Sequence, residues 1–506
     1  MESLPITVLR LIVSFVDSNM DRLMLSLVCK RWFEHRDKYM SFETRALATS
    51  SDYGESVIRL NSYKHVFDES FKSKWFTICV FSSTRIPMGQ FEYIASCYDR
   101  TFITGGEGDH SWKHEILELP LIESIRFDDS ILEAEWAHMG TFFDELTRRG
   151  VTDLTVDMTY PIPLRDMPIR TMRITCREPW TAQPSFFPTT LTKLSIYAQF
   201  SGTLDNMLPA GLKYLSLPDA WNHPLGQNAL PTGLETLRLG DQYSQSLDRV
   251  LPPALTELRI PAHESYKSLV VPSSLTSLTI GYYTNTLIDN ANLKMLDVIY
   301  PPPSFEQHIS LVELTIHNFS WHNVDIISSS SFPCLERLNI RTHPITNHNP
   351  LAESPDLTSL PSRLRWLEIK TCSGIRALPE KLENLALFCT SEFSLHKGLL
   401  PSALQNLILV GYSHELQYDT FPLTLRQFKP CRVFIKHNPN LLEMLPISVV
   451  DIRLPLLFND HYLWLYRMSA DLYFRHSINL LRCGFIKRVP LLLLWRSIVN
   501  QPINQS

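Results

Sequence analysis

FPTTLTKLSI at 187–196, LPAGLKYLSL at 208–217, LPTGLETLRL at 230–239, LPPALTELRI at 251–260 and VPSSLTSLTI at 271–280 are five copies of one sentence. Each writes an apolar residue, then Pro, then Leu-x-x-Leu-x-Leu/Ile. The prolines fall at 188, 209, 231, 252 and 272, so the period is 20 to 22 residues. Self-similarity at that period is the signature of a solenoid. Within a copy, Leu191, Leu194 and Ile196 are spaced three and then two, and a step of two is strand alternation. Thr and Ile around that step favour a strand. The recurring Pro stops any helix well short of one repeat. Each copy therefore predicts one short strand with its Leu residues turned inward, and stacked copies predict a parallel sheet with one strand per coil.

The pattern extends in both directions. Degenerate strand-like copies precede it: ESIRFD from Glu123, TDLTVDM from Thr152 and RTMRITC from Arg170. After it come ANLKMLDV from Ala291, SLVELTI from Ser310 and FPCLERLNI from Phe332. The full form returns from Leu360, Leu378, Leu400, Phe421 and Leu445. The stretch from Arg341 to Ser359 is longer than a coil allows and reads as a loop. Three copies also share columns after the strand: aromatic Phe200, Trp221 and Tyr243; small polar Ser201, Asn222 and Ser244; and Leu204, Leu225 and Leu247. The polar column is placed to satisfy backbone groups at the bend, where a buried loop has no water to use. These columns and Trp221-Asn222-His223-Pro224-Leu225 resemble the F-N-x-P (FNIP) repeats, a leucine-rich-repeat-like family. The other coils keep the Leu-Pro-x-x-Leu-x-x-Leu-x-Leu half and lose the F-N-x-P half, so no continuous Asn ladder is expected.

The N-terminus is of a different kind. LPITVLRLIVSFVD has helical spacing, with Pro5 suited to a first turn and an apolar stripe wide enough to wrap most of the helix. DRLMLSLVCKRWFEHRDKY continues in helical pattern. About 40 residues of this kind hold more apolar surface than they can bury among themselves. Leu4-Pro5, Val8-Leu9, Ile12 to Val16 and Leu25-Ser26-Leu27-Val28-Cys29-Lys30-Arg31-Trp32 resemble, in order and spacing, an F-box. Thr7 departs from that pattern, where the family usually carries an acidic residue. The resemblance implies docking on a Skp-family adaptor, and through it a cullin, with Leu4, Pro5, Leu9, Ile12, Val28 and Trp32 as the apolar contacts. The simpler reading is a helical cap on the solenoid.

The expected fold is therefore α+β. An all-α F-box spans 1–42, and 43–115 is a connecting region with irregular first coils, including a strand in KWFTICVF. A leucine-rich-repeat-like β-solenoid of short parallel strands spans 116–454. A helical C-terminal cap spans 455–506, where Leu463 to Arg482 and Leu491 to Ile498 mix apolar and basic residues.

Composition narrows the function. The 506 residues carry a net charge of −5, with 20% charged and 44% hydrophobic residues, so bulk electrostatics point to neither nucleic acid nor an anionic membrane. No run approaches the roughly 18 apolar residues of a membrane helix. The nine Cys are scattered without a CxxC, which reads as reduced thiols in the cytosol or nucleus, not a secreted scaffold. No nucleophile elbow, zinc-protease motif, P-loop or dinucleotide fingerprint occurs, and TGGEGDH at 104–110 reads as a surface turn. Neither an enzymatic activity nor a cofactor or metal is expected. The informative surface is the outward side of the strands: Lys193, Ser195, Tyr214, Arg238, Arg259, Asp297, His317, Arg337, Arg341, Trp366, Glu368 and Lys370. Arg and Trp are enriched where proteins hold partners, so Arg238, Arg259, His317, Arg337, Arg341, Trp366 and Lys370 form the candidate target-binding face. The resemblance to an F-box followed by FNIP repeats implies a substrate-recognition adaptor of a cullin–RING ubiquitin ligase, with an interaction scaffold lacking a degradation role as the alternative.

Overall fold

In every regular copy the proline carbonyl accepts the amide of the Leu three residues on. The bonds are Leu191 N to Pro188 O at 3.2 Å, Leu212 N to Pro209 O at 3.0 Å, Leu255 N to Pro252 O at 3.2 Å and Leu404 N to Pro401 O at 3.1 Å. Pro-x-x-Leu is thus a tight turn that starts each coil, and the Pro needs no amide of its own there. The next two amides share one carbonyl of the preceding coil. Thr192 N and Lys193 N both reach Arg170 O, at 2.8 and 2.9 Å, and Thr256 N and Glu257 N both reach Glu235 O, at 2.8 and 3.0 Å. The turn therefore hands the chain directly into a parallel ladder.

The computed structural model describes residues 4–16, 19–42, 63, 65–66, 69–70, 76–82, 100–104, 111–118, 122–127, 139–151, 153–158, 168–175, 179–181, 186–197, 199–263, 266, 269–282, 292–341, 355–372, 374–389, 393–417, 419–455, 462–477, 484–488 and 491. They fall into two compact units, 1–234 and 235–506. The first unit opens with helices α1 (Ile6–Ser14), α2 (Asn19–Ser26) and α3 (Lys30–Glu34). Strands β1 (Phe76–Ser82) and β2 (Arg100–Thr104) follow, then α4 (Ser111–Leu117), β3 (Ile122–Phe127) and α5 (Gly140–Arg148). Strands β4 (Asp153–Met158), β5 (Thr171–Ile174), β6 (Lys193–Ile196) and β7 (Tyr214–Ser216) complete it. All seven strands run parallel, in the spatial order β2-β1-β3-β4-β5-β6-β7.

The second unit stacks β8 (Thr236–Arg238), β9 (Glu257–Arg259), β10 (Ser277–Tyr282), β11 (Met295–Tyr300), β12 (Glu313–His317) and β13 (Arg337–Arg341). It continues with β14 (Trp366–Cys372), β15 (Asn384–Cys389), β16 (Asn406–Val410), β17 (Gln427–Lys429) and β18 (Asp451–Pro455). These pair in parallel, each with the next in sequence. Between β17 and β18 lie the short helices α6 (Arg432–His437) and α7 (Leu441–Met444).

The β-solenoid is as the repeats predict, and the strand Leu columns are the core: Leu191, Leu194, Ile196, Leu212 and Leu215 are fully buried, as are Leu255, Leu258, Leu314, Ile316, Leu338, Ile340, Leu367 and Ile369. Burial of such side chains contributes about 1.5–3 kcal/mol each. The strand expected in KWFTICVF is β1, and with β2 it forms irregular first coils ahead of residue 116, where Ile78 and Val80 bury completely without a Pro to announce a coil. The C-terminal end differs from expectation. Where it is described, the C-terminal region is mostly strand, with helical residues at Arg488 and Leu491. Strands β19 (Tyr462–Arg467), β20 (Leu472–Ser477) and β21 (Gly484–Lys487) form an antiparallel meander on β18. YLWLYR and LYFRHS are aromatic-rich, which suits a pleated surface, and pairing covers the open edge of β18. Leu491, the first residue of the expected helix at 491–498, is helical and buried; the rest of that helix and 342–354 of the expected loop lie outside the described residues, as does TGGEGDH beyond Thr104. Among the described residues no helix is long and apolar enough to cross a membrane.

One close approach makes a testable point about coil stacking. A Cβ added at Gly281 would lie 1.9 Å from Ala262 Cα, a backbone atom that cannot swing away. Gly281→Ala is expected to lower stability by about 3 kcal/mol, at the upper end of overpacking costs, read as a lower urea midpoint. An unchanged midpoint would show that the two coils can separate at no cost.

Candidate interaction surfaces

The helical region closes its own core. Leu9 and Val13 on α1 are buried, as are Leu23, Trp32, Tyr39, Met40 and Phe42. Arg22 is 1% exposed, and its guanidinium donates to Val16 O at 2.6 Å and Ser41 O at 2.8 Å, so its burial leaves those donors met. The domain also draws on residues beyond 42. Tyr63 is buried, 5.9 Å from the Phe33 ring and 6.3 Å from Phe42, and its hydroxyl lies 2.6 Å from Ser26 Oγ. Ser70 Oγ accepts from Phe42 N at 2.9 Å. Burial, reinforced by neighbouring Tyr63 and Cys29, pushes the Tyr39 hydroxyl far above its ordinary value; that hydroxyl donates to Trp32 O at 2.9 Å.

The opposite side of α1 is apolar and open. Val8 is 37% exposed, Leu11 59% and Phe15 78%, at a spacing of three and four that puts them on one face. Ile12 flanks them half-buried, and Val28 is 55% exposed in the turn before α3. The sequence-derived adaptor contacts therefore divide. Pro5 and Val28 are exposed and Leu4 and Ile12 are half-buried, while Leu9 and Trp32 lie in the domain's own core with 2% exposure each. Leu11 and Phe15 join the exposed ones on the open side, which a stripe that wraps the helix does not distinguish from the side the domain uses for itself.

The columns after the strands hold the coils together through polar atoms. Trp221 Nε1 donates to Gly202 O at 3.0 Å, and Gly202 N donates to His223 Nε2 at 3.2 Å. Gly202 has φ 121°, a backbone region that side chains disfavour. Both backbone groups of that glycine are thus met by the Trp221-Asn222-His223 segment one coil on. In the second unit Tyr266 Oη donates to Tyr243 O at 3.1 Å and Gln245 O at 3.2 Å. Buried Asn438 accepts from Leu416 N at 2.7 Å and donates to His414 O at 2.9 Å, acting as a detached peptide group between coils. Asn438 lies outside the three aligned copies, so the columns gave no pointer to it.

On the outward side of the strands the candidate residues fall into two groups in the second unit. Arg238 and Arg259 are register neighbours on β8 and β9, and Arg238 Nη2 is 2.7 Å from Glu257 Oε1. Strands β10 and β11 separate them from the rest. His317, Arg341 and Lys370 occupy one register row across β12, β13 and β14. His317 Nε2 is 2.9 Å from Asp297 Oδ1. Arg337 and Trp366 are register partners, with the guanidinium carbon 5.8 Å from the Trp366 ring centroid. Lys370 Nζ lies 5.2 Å from the Phe388 ring and 3.7 Å from Glu368 Oε1.

A helical domain that keeps an apolar face open, carried by a chain of leucine-rich coils, defines a repeat protein of the interaction class. Its two parts are named by family models: residues 1–37 match the F-box and residues 221–262 match the FNIP repeat, so the chain carries both. No curated protein matches it. Among solved structures it is similar to CroV588, described as a novel circular LRR protein, at a TM-score of 0.40 and 19% identity, over 67% of this chain and 54% of that one.

Proposed function

We propose that the protein is the substrate-recognition adaptor of a cullin–RING ubiquitin ligase, acting in the cytosol or nucleus. The F-box docks on a Skp-family adaptor and the repeats hold a target protein. The observation that carries this reading is the exposed face of Leu11 and Phe15 on a domain that turns Leu9, Val13 and Trp32 into its own interior. Exposed large apolar side chains grouped on one helix face are the mark of a partner site. Val8, Leu11, Ile12, Phe15 and Val28 are the proposed contacts, with Leu4 and Pro5 at the start of the helix. Leu9 and Trp32 support that face from beneath. F-boxes and repeat solenoids are typical of non-enzymatic interaction proteins; ubiquitin transfer would belong to other subunits.

On the repeats, Arg238, Arg259, His317, Arg337, Arg341, Trp366 and Lys370 are the proposed target-binding positions. Adaptor and scaffold separate by one comparison. Proteins retained by the full chain are identified, and their abundance is compared in cells expressing that chain or one lacking residues 1–42. The degradation role predicts that at least one retained protein rises in abundance when the F-box is absent. If every retained protein keeps its level, the repeats act as a scaffold without degradation.

A further inference from the structure

The outward positions of β13 to β16 carry a run of apolar side chains across consecutive strands; β11 also turns Met295 and Ile299 outward. Trp366, Phe388, Ile408 and Val410 present apolar surface there at half-buried to exposed positions. Their strands are consecutive and in register: Lys370 pairs with Phe388 and Phe388 with Val410, while Trp366 pairs with Asn384 and Asn384 with Asn406. On one flank stand three cations, Arg337, Arg341 and Lys370, against two carboxylates, Glu368 and Glu313, the register partner of Arg337. Two of those cations already lie over aromatic rings, Arg337 over Trp366 and Lys370 over Phe388. On the other flank Asn406 Nδ2 donates to Asn384 Oδ1 at 2.5 Å, an amide row beside the apolar floor.

We infer that this patch is where the repeats take hold of their target, and that its occupant is an extended acidic segment carrying an aromatic or aliphatic residue among carboxylates. The inference rests on the target-holding reading above and narrows it to one place and one chemistry. An apolar centre with a polar rim is the anatomy of a protein interface, and Trp and Arg are the residues that dominate such interfaces. The excess of cations on an otherwise acidic protein selects for carboxylates by charge complementarity. The apolar floor supplies the desolvated contact that charge alone cannot, because exposed ion pairs contribute little. Each Asn amide has two N–H donors and two acceptor lone pairs, so the row's own bonds, Asn406 to Asn384 and Asn384 to Arg365 O, leave capacity for the backbone of an extended chain.

A display library of random short peptides, selected on the immobilised full chain, tests this. The expected peptides pair a Leu, Phe or Tyr with Asp or Glu. Their binding, measured by fluorescence anisotropy, weakens at least about tenfold in Trp366→Ala. It also weakens with added salt, and that salt dependence shrinks in the double variant Arg337→Glu, Lys370→Glu. Selection of basic peptides, or of peptides bound equally well by Trp366→Ala, would overturn the assignment of this patch. So would a concentration-dependent dimer, seen by light scattering and lost in Trp366→Ala, since the occupant would then be a second copy of the chain. Target proteins captured from cells separate the two levels. Capture that persists in Trp366→Ala overturns the patch and leaves the target-holding reading intact. A full chain that captures neither peptides nor proteins fails both.

Discussion

A chain carrying Leu11→Asp and Phe15→Asp is expected to lose capture of the Skp-family adaptor while its repeats stay folded. The two side chains are 59% and 78% exposed, so their replacement removes little packing from the domain itself. Burying a Leu and a Phe in a partner contributes about 1.5–3 kcal/mol each. Their joint loss weakens binding by about a hundredfold or more, since each 1.4 kcal/mol is about tenfold. Two desolvated carboxylates without partners add to that cost. Pull-down with purified adaptor reads the loss, and circular dichroism reads the fold. Trp32→Ala makes the contrast. Trp32 is 2% exposed and packs inside the domain, so truncating it costs about 3–5 kcal/mol of stability. It would abolish capture by unfolding the helices. Binding unchanged in Leu11→Asp, Phe15→Asp would move the docking surface elsewhere on the domain.

Trp221→Ala is expected to have the largest effect on the first unit. The side chain is 1% exposed, and its indole N–H is the donor that meets Gly202 O. Large aromatic-to-alanine truncations in cores cost about 3–5 kcal/mol, and the orphaned Gly202 carbonyl adds to the packing loss. A solenoid is held by contacts between neighbouring coils, so the damage spreads to the coil above. Trp221→Phe keeps most of the ring and loses only the hydrogen bond, at about 1 kcal/mol. Urea unfolding followed by far-UV circular dichroism should rank wild type above Trp221→Phe above Trp221→Ala. Equal midpoints for the two variants would mean that ring volume contributes nothing to the stacking.

The strands of the coils were legible because each repeat states its own geometry. Leu191, Leu194 and Ile196 carry strand alternation in their spacing, and the same letters recur at a fixed interval. Strands β1 and β2 carry no such punctuation. KWFTICVF reads as a strand from its residues, but its place in the array comes from pairing with β3, which no local spacing encodes. At the other end, Tyr462 to Arg467 mixes aromatic and basic residues in a way that fits a helix or a strand. The exposed edge of β18 decides between them by offering a row of partners. The candidate sites show the same division. Outward positions such as Arg337 and Trp366 followed from alternation alone. Which side of α1 remains open did not, because Leu9 and Phe15 are equally apolar and only the packing of Trp32, Tyr39 and Tyr63 separates them.

The adaptor role turns on whether the wild-type chain binds a purified Skp-family adaptor directly. Size-exclusion chromatography with light scattering on the mixed proteins measures this. A stable stoichiometric complex, lost in Leu11→Asp, Phe15→Asp, is the predicted result. A wild-type chain that elutes alone beside free adaptor, with its helices folded, contradicts it.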